Sequence, residues 1–519
     1  MKLYSYHVFL FPFQWEQKNK EGDLFTQKID ISVLKPSSPQ WLNLPLPQTE
    51  DYMVELYNEK NYFYPFVHDV LYENPGRDKP IIRHFERKEA YDRNLSYVIG
   101  VKAGYHSVYR LEIKSIVLNL YSTGTGILIF YLVNSNYPDL KDIKRINQFG
   151  RRILPPFIGK EKLAEKTKES ELADFIALEG LEGRSSDYYE DFLDYTHAHD
   201  WKPASFIDSL IRDLDPGLSP KPVIDDRMFV MSFIANKDLE AKLKSDYNNW
   251  VQSEEWYSLL YIDGYEPTCQ NDEMRSGLSL NNTNPRWQKY GTLYGITRYS
   301  FVTVTGDIQS IPEYLLEYFR TMYVRLVELT LVQRASILRF SGEVTHLSSL
   351  AKKPTRELVE MISDFYKAYI RFVNQVFFRE VTAQEQGIEF YDKLLENMRL
   401  KDQVKDLDEE ISELHQYAAL LEDKERNQSL AHLTVLGTLF LIPALVTGIL
   451  GMNLDDFNNH EPTRQDWFTL LILLVPGLIV APVSAYLAIN TQNKISKKAF
   501  YTVTIIGILT TTIIYLIKS

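Results

Sequence analysis

One cysteine, Cys269, stands among 519 residues. That scarcity excludes an intrachain disulfide and any zinc site built from several cysteines, and it points the bulk of the chain to a reducing compartment. Catalytic signatures are missing too: there is no Gly-x-x-x-x-Gly-Lys-[Ser/Thr], no His-Glu-x-x-His and no Gly-x-Ser-x-Gly. Those patterns would cradle phosphate, hold zinc or raise a nucleophile on a strained turn, so the chain is not expected to be an enzyme. An excess of positive charge is absent as well. With 57 Lys and Arg against 69 Asp and Glu the net charge is -12, which argues against nucleic acid as a direct partner and suits cations. Nor is there an export signal at the start, where Met1-Lys2 precedes LYSYHVFLFPFQW without a small-residue cleavage site. The stretch is expected to be a buried strand.

The most uneven absence is that of charge near the C-terminus. From residue 430 onward there are four acids and five bases, a net of +1, which leaves -13 on the 429 residues before it. Three runs, 430–450, 468–489 and 499–517, hold 21, 22 and 19 residues without Asp, Glu, Lys or Arg. A helix crosses a hydrocarbon core with about 20 apolar residues, so each is expected to span a membrane, the third in addition to the first two. Lys424 and Arg426 precede the first run, only Arg464 separates it from the second, and Lys494, Lys497 and Lys498 follow. The positive-inside rule then places residues 1–429 in the cytoplasm and the 451–467 loop outside.

The first run ends in Gly451-Met452-Asn453, followed by a short loop and preceded by a long helical pattern. In that setting the sequence resembles the CorA family of divalent-cation channels and transporters, whose signature is Gly-Met-Asn at this place. Pro443 and Gly448 stand where that family commonly has Pro and Gly. The resemblance is specific over residues 383–498 and architectural before them. It implies an α/β cytoplasmic domain followed by a long helical stalk and C-terminal transmembrane helices. The expected parts are a sensor domain over 1–309, a helical hairpin over 310–382, a stalk helix over 383–429, a pore-lining first span over 430–450, an outer loop over 451–467, a second span over 468–489 and a third over 499–517. It also implies a homopentamer in the inner (plasma) membrane, in contact with lipid, with Mg²⁺ transported or regulatory. The chain departs from the family where the Met-Pro-Glu-Leu stretch is missing, where Leu450 and Leu454 replace aromatics, and in its third apolar run.

Residues 400–421 carry a heptad seam of Leu400, Val404, Leu407, Ile411, Leu414, Ala418 and Leu421, which suits either a helix packed on its own domain or a stalk. No Pro interrupts 383–429, so an unbroken helix to residue 450 is expected. Counting back from Gly451 by three and four gives a pore face of Gly448, Ala444, Leu441, Gly437, Leu433 or Thr434, Leu430 and Asn427. Leucines and small residues there make a narrow, dry gate that opens by wetting. Asn427 and Asn453 supply amide rings at the two mouths; Asn453 is the candidate contact for a hydrated ion, since Mg²⁺ gives up its waters reluctantly, though Asn is also a favoured helix cap. In the outer loop Asp455, Asp456 and Glu461 would attract cations. His432 is expected at the membrane interface.

Upstream, residues 311–340 and 355–380 read as long helices parted near Pro354. Strands are expected over 109–121, 126–134, 223–235 and 293–305, and helices over 49–73, 160–181 and 237–261. Ser122-Thr-Gly-Thr-Gly126 is a hairpin turn rather than a phosphate loop, because a strand follows it. His197 and His199 fall in a polar loop. Arg151 and Arg152, which suit phosphate, and Asp225 and Asp226, which suit a ribose hydroxyl or an amine, are candidates for a regulatory ligand, with ion pairing as the alternative. CorA-like membrane proteins also occur as effectors of type III CRISPR antiviral defence, where a nucleotide second messenger acts on an enlarged cytoplasmic domain. That is the alternative function.

Overall fold

The computed structural model describes residues 3–17, 31–43, 50–74, 76–101, 108–155, 172–192, 201–264, 267–306, 314–351 and 356–450, with 501 and 505. The chain forms two compact units: residues 1–353 with 360–414, and residues 354–359 with 415–519.

The first unit is organised by its N-terminal strand. β1 (Ser5–Gln17) is followed by β2 (Trp41–Asn43), β3 (Ile82–Arg87), β4 (Leu95–Gly100), β5 (Val108–Tyr121), β6 (Thr125–Asn134), β7 (Phe175–Glu179), β8 (Tyr189–Asp191), β9 (Leu218–Pro222), β10 (Phe229–Ala235), β11 (Thr283–Asn284), β12 (Leu293–Ile296) and β13 (Ser300–Thr305). They make one sheet in the order β11-β12-β13-β10-β1-β6-β5-β4-β7-β8, with β9 on β1 and β2 joined through β3 to β5. Among the described residues β10 and β13 are the parallel neighbours and the other pairs are antiparallel.

β1 lies between β6 on one side and β10 then β9 on the other, so Val8, Phe9, Leu10 and Phe11 are all buried and the strand reads as a continuous apolar run. Pro12 falls where the second side changes partner, after Leu10 on β10 and before Phe13 on β9. A residue with no backbone N–H to donate is tolerated at such a gap. The β5–β6 hairpin turns at Gly124 with a left-handed φ of 76°, which glycine adopts freely. A Cβ on Gly126 would come within 2.5 Å of the Phe13 ring.

Helices α1 (Leu140–Gly150) and α2 (Ser205–Leu214) bury Ile146, Phe149, Phe206, Ile207, Leu210 and Leu214 in the core around β1. The pattern over 49–73 is a helix over Glu50–Tyr62 that gives way at Pro65 to short turns. That over 237–261 is three helices, Lys237–Ser245, Tyr247–Val251 and Glu254–Tyr261. Residues 175–179, expected at the end of a helix, are strand β7, because pairing with β4 and β8 decides their conformation.

The helical part begins at Tyr314–Tyr318, passes through a π-helical stretch, Phe319–Tyr323, and continues as α3 (Val324–Leu350). Then come α4 (Arg356–Gln375), α5 (Glu385–Met398) and α6 (Leu400–Leu450). The unbroken helix expected from residue 383 is interrupted at Arg399, whose φ is 55°. A non-glycine residue there costs on the order of 1–2 kcal/mol. Met398 and Leu400 are both fully buried on either side, and their packing holds the break in place.

Candidate functional site

Two groups of residues singled out by sequence fall within the described structure. The first is the face of α6. Leu400, Leu407, Ile411, Leu414 and Ala418 are buried in the single chain, and the Tyr369 hydroxyl donates to the Val404 carbonyl at 3.4 Å. The seam is thus spent on packing within the chain, the first of the two alternatives, up to Ala418. Farther along the pattern inverts. Asn427, Thr434 and Gly437 are exposed, and Leu430, Leu433 and Leu441 are 55%, 67% and 63% exposed. At spacings of three, four and seven these residues share one helix face. Thr434 spends its hydroxyl on the Leu430 carbonyl at 2.8 Å, a back-bond that leaves no donor on that face from this residue. Ala444 and Gly448 continue the helical backbone. Gly451, Met452, Asn453, Asp455, Asp456 and Glu461 lie outside the described residues, as do His197 and His199 and the runs 468–489 and, apart from Tyr501 and Ile505, 499–517.

The second group is brought together by the sheet. Arg152 and Asp226 form an ion pair with side chains 2% and 13% exposed. Their backbones pair as well: Met228 N–H donates to the Arg151 carbonyl at 2.7 Å and Ile153 N–H to the Asp226 carbonyl at 3.1 Å. Arg227 binds Asp225 at 2.7 Å and stacks over the Tyr299 ring at 5.2 Å, while Arg334 of α3 faces the same ring at 5.6 Å. Arg151 reaches the Gln148 side chain and the Ile262 carbonyl, both at 3.4 Å. Burial, followed by the charges of Arg227 and Arg152, pushes Arg151 down to about 9. Burial and the neighbouring Asp225 push Asp226 up to about 6, whereas Asp225 is held below its ordinary value against burial by its hydrogen bonds with Asp226 and Arg227. These four candidates are a buried charge network rather than surface pairs. Nε of Arg151 and Nε and Nη1 of Arg334 find no acceptor among the described residues.

Sequence patterning misses how α3 is tied to the sheet. Glu328 is fully buried, accepting from the amide of Asn119, from the Tyr121 hydroxyl at 2.6 Å and from Arg325 at 2.9 Å. Arg325 also binds Glu59 at 2.9 Å, and His84 shares a 2.5 Å hydrogen bond with Asn119. Burial works against the Arg325 charge, and the carboxylates of Glu59 and Glu328 overcome it, so its pKa rises. Lower down, Ser336 Oγ lies 2.9 Å from Thr123 Oγ1 and Arg339 donates to the Thr123 carbonyl, clasping the hairpin turn to the helix. The available signal was a carboxylate and a glutamine, Glu328 and Gln333, set among Leu326, Val327, Leu329, Leu331 and Val332.

Among the described residues no cluster of His, Cys, Asp and Glu could hold a metal ion, and no helix is long and apolar enough to cross a membrane. The architecture is that of an α/β sheet domain leading into long helices, which fits the CorA-like class. Residues 315–487, one third of the chain, match the family model of the CorA-like Mg²⁺ transporter protein, so this part of the chain is similar to that family. The match begins within the first helix after the sheet and ends before the third apolar run. No curated protein and no solved structure matched the chain.

Proposed function

We propose that the protein is the subunit of a CorA-like homo-oligomeric channel or transporter for divalent cations, Mg²⁺ foremost, gated through its N-terminal domain. The observation that carries this reading is the CorA-like match over residues 315–487, which takes in the exposed leucine face of α6 and the Gly451-Met452-Asn453 tripeptide after it. Leu430, Leu433 and Leu441 present apolar surface that water does not reward, and burial of each would stabilise by about 1.5–3 kcal/mol. In the proposed assembly this face, with Gly437, Ala444 and Gly448, lines a dry gate. Asn427 and Asn453 stand at its mouths, and Asp455, Asp456 and Glu461 collect cations outside. Residues 1–429 lie in the cytoplasm, the runs 430–450 and 468–489 cross the plasma membrane, and 499–517 adds a third crossing.

The test is Mg²⁺ flux into liposomes containing the purified protein. Wild type is expected to conduct and Asn453→Ala to lose selectivity or flux. Equal behaviour of the two under every condition would sink the channel reading. A second reading, a nucleotide-gated effector of antiviral defence, draws on Nε of Arg151 and Nε and Nη1 of Arg334, which find no acceptor among the described residues. Nucleotide binding lost in Arg334→Gln, with an unchanged melting temperature, would favour it.

A further inference from the structure

Apart from the sites above, a cavity of about 410 Å³ opens in the first unit between the β5–β6 turn, the loop before β3, α3 and α4. Its floor is apolar: the Phe340 ring packs on Phe365 at 5.7 Å and on Phe372 at 5.4 Å. Its rim is charged, and the charges do not balance. Glu343 is taken by Arg339, and Asp364 holds Lys367 at 3.0 Å. Lys79 and Arg371, also on the lining, are exposed and enter no ion pair with the described residues. Four bases thus face two acids, an excess of two positive charges in a chain whose net charge is -12. A cleft of one sign with low-dielectric walls concentrates the opposite charge. An excess of two matches a phosphate monoester, which carries about -1.5 to -2 at neutral pH, better than a single carboxylate.

We propose that this cavity binds an organic phosphate, with the phosphate on Lys79 and Arg371 and the apolar body over Phe340, Phe365 and Phe372. Arg371 offers a planar fork and Lys79 a mobile point charge, a pairing suited to an anion entering from the rim. The Ser122-Thr123 turn, which the sequence marks as no phosphate loop, supplies side wall rather than cradle. The turn is clasped to α3 through Thr123, so an occupant touches the sheet, α3 and α4 together. Its effect on conduction rests on the channel reading; its binding does not.

Calorimetric titration of the full-length protein in detergent tests the site, using phenyl phosphate, inorganic phosphate and benzyl alcohol as probes. One phenyl phosphate per chain is expected, with the other two at least about tenfold weaker. Lys79→Glu with Arg371→Glu should weaken phenyl phosphate by at least about tenfold, while Arg371→Lys stays within about threefold of wild type. Both side chains are exposed, so the melting temperature should not move; if the double variant melts early, Lys79→Gln alone makes the same comparison. Absence of phenyl phosphate binding to wild type, equal binding by the charge-reversed variant, or equal binding of benzyl alcohol overturns the proposal. A protein that binds phenyl phosphate as expected yet conducts no Mg²⁺ keeps the site and loses the channel.

Discussion

Two helices of this chain treat polarity in opposite ways. α3 encloses Glu328, Thr330, Gln333, Arg334 and Ser336 within the protein, whereas α6 from residue 430 turns Leu430, Leu433 and Leu441 outward. A buried polar group must find a partner, and most of those on α3 do: Glu328 has three, Thr330 bonds back to the Leu326 and Val327 carbonyls, and Gln333 donates to the Val376 carbonyl and the Tyr391 hydroxyl, both at 3.0 Å. Exposed leucines need no partner to fold, but a row of them favours surroundings other than water. The contrast separates a helix specified by its own protein from one whose partners are lipid or further copies in the proposed assembly.

The largest break in that contrast is expected at Glu328. Glu328→Ala strips Asn119, Tyr121 and Arg325 of their shared acceptor and should cost about 3–5 kcal/mol, seen as a lower urea midpoint. A loss below about 1 kcal/mol would mean that α3 is held by apolar packing alone.

Leu441→Lys probes the other helix. Leu441 is largely exposed in the single chain, so folding of the sheet domain should be unchanged by circular dichroism. If 430–450 spans a membrane, the lysine opposes insertion by about 2.5–3.5 kcal/mol, and recovery in the membrane fraction should fall. Unaltered recovery would remove the leucine face from the membrane.

The smallest effect sharpens the comparison through pH. His7 is enclosed between Ser5 and Asn147, and burial pushes its imidazole down from 6.5 to about 4. The unfolded chain therefore takes up the proton first, so this contribution is complete above about 6.5 and falls as the pH drops toward 4. His84, pushed down to about 3 by burial and the Arg325 charge, acts with the same sign. Asp226, pushed up to about 6, acts with the opposite sign between about 4 and 6. Between pH 7.5 and 5 the His7 share should be about 2 kcal/mol. His7→Asn should flatten the pH dependence of the urea midpoint by that amount, and an unchanged slope would assign it to other groups.

What the sequence disclosed was what its local chemistry decides. Strands expected over 109–121 and 126–134 are Val108–Tyr121 and Thr125–Asn134, because apolar runs flank a turn in which Gly124 takes the left-handed conformation. The heptad seam and the leucine face of α6 were legible from spacing, and the CorA-like match covers both from residue 400 to 441. Tertiary facts were not. Nothing near Arg399 announces a helix break, since neither Pro nor Gly adjoins it. Arg152 and Asp226 were visible as separate charged clusters, but their union across 74 residues depends on sheet pairing. Glu328 read as one polar position between Val327 and Leu329, and the sheet supplies two of its three partners, Asn119 and Tyr121.

The placement of β1 has a consequence for synthesis. This aromatic strand, ending at Gln17, is made before its neighbours β6, β9 and β10, which end at Asn134, Pro222 and Ala235. At about 5–20 residues per second, a ribosome needs on the order of ten to forty seconds to supply the last of them. Throughout that interval Phe9, Phe11, Phe13 and Trp15 await cover, so the nascent chain invites a chaperone or premature association well before the apolar C-terminal runs emerge.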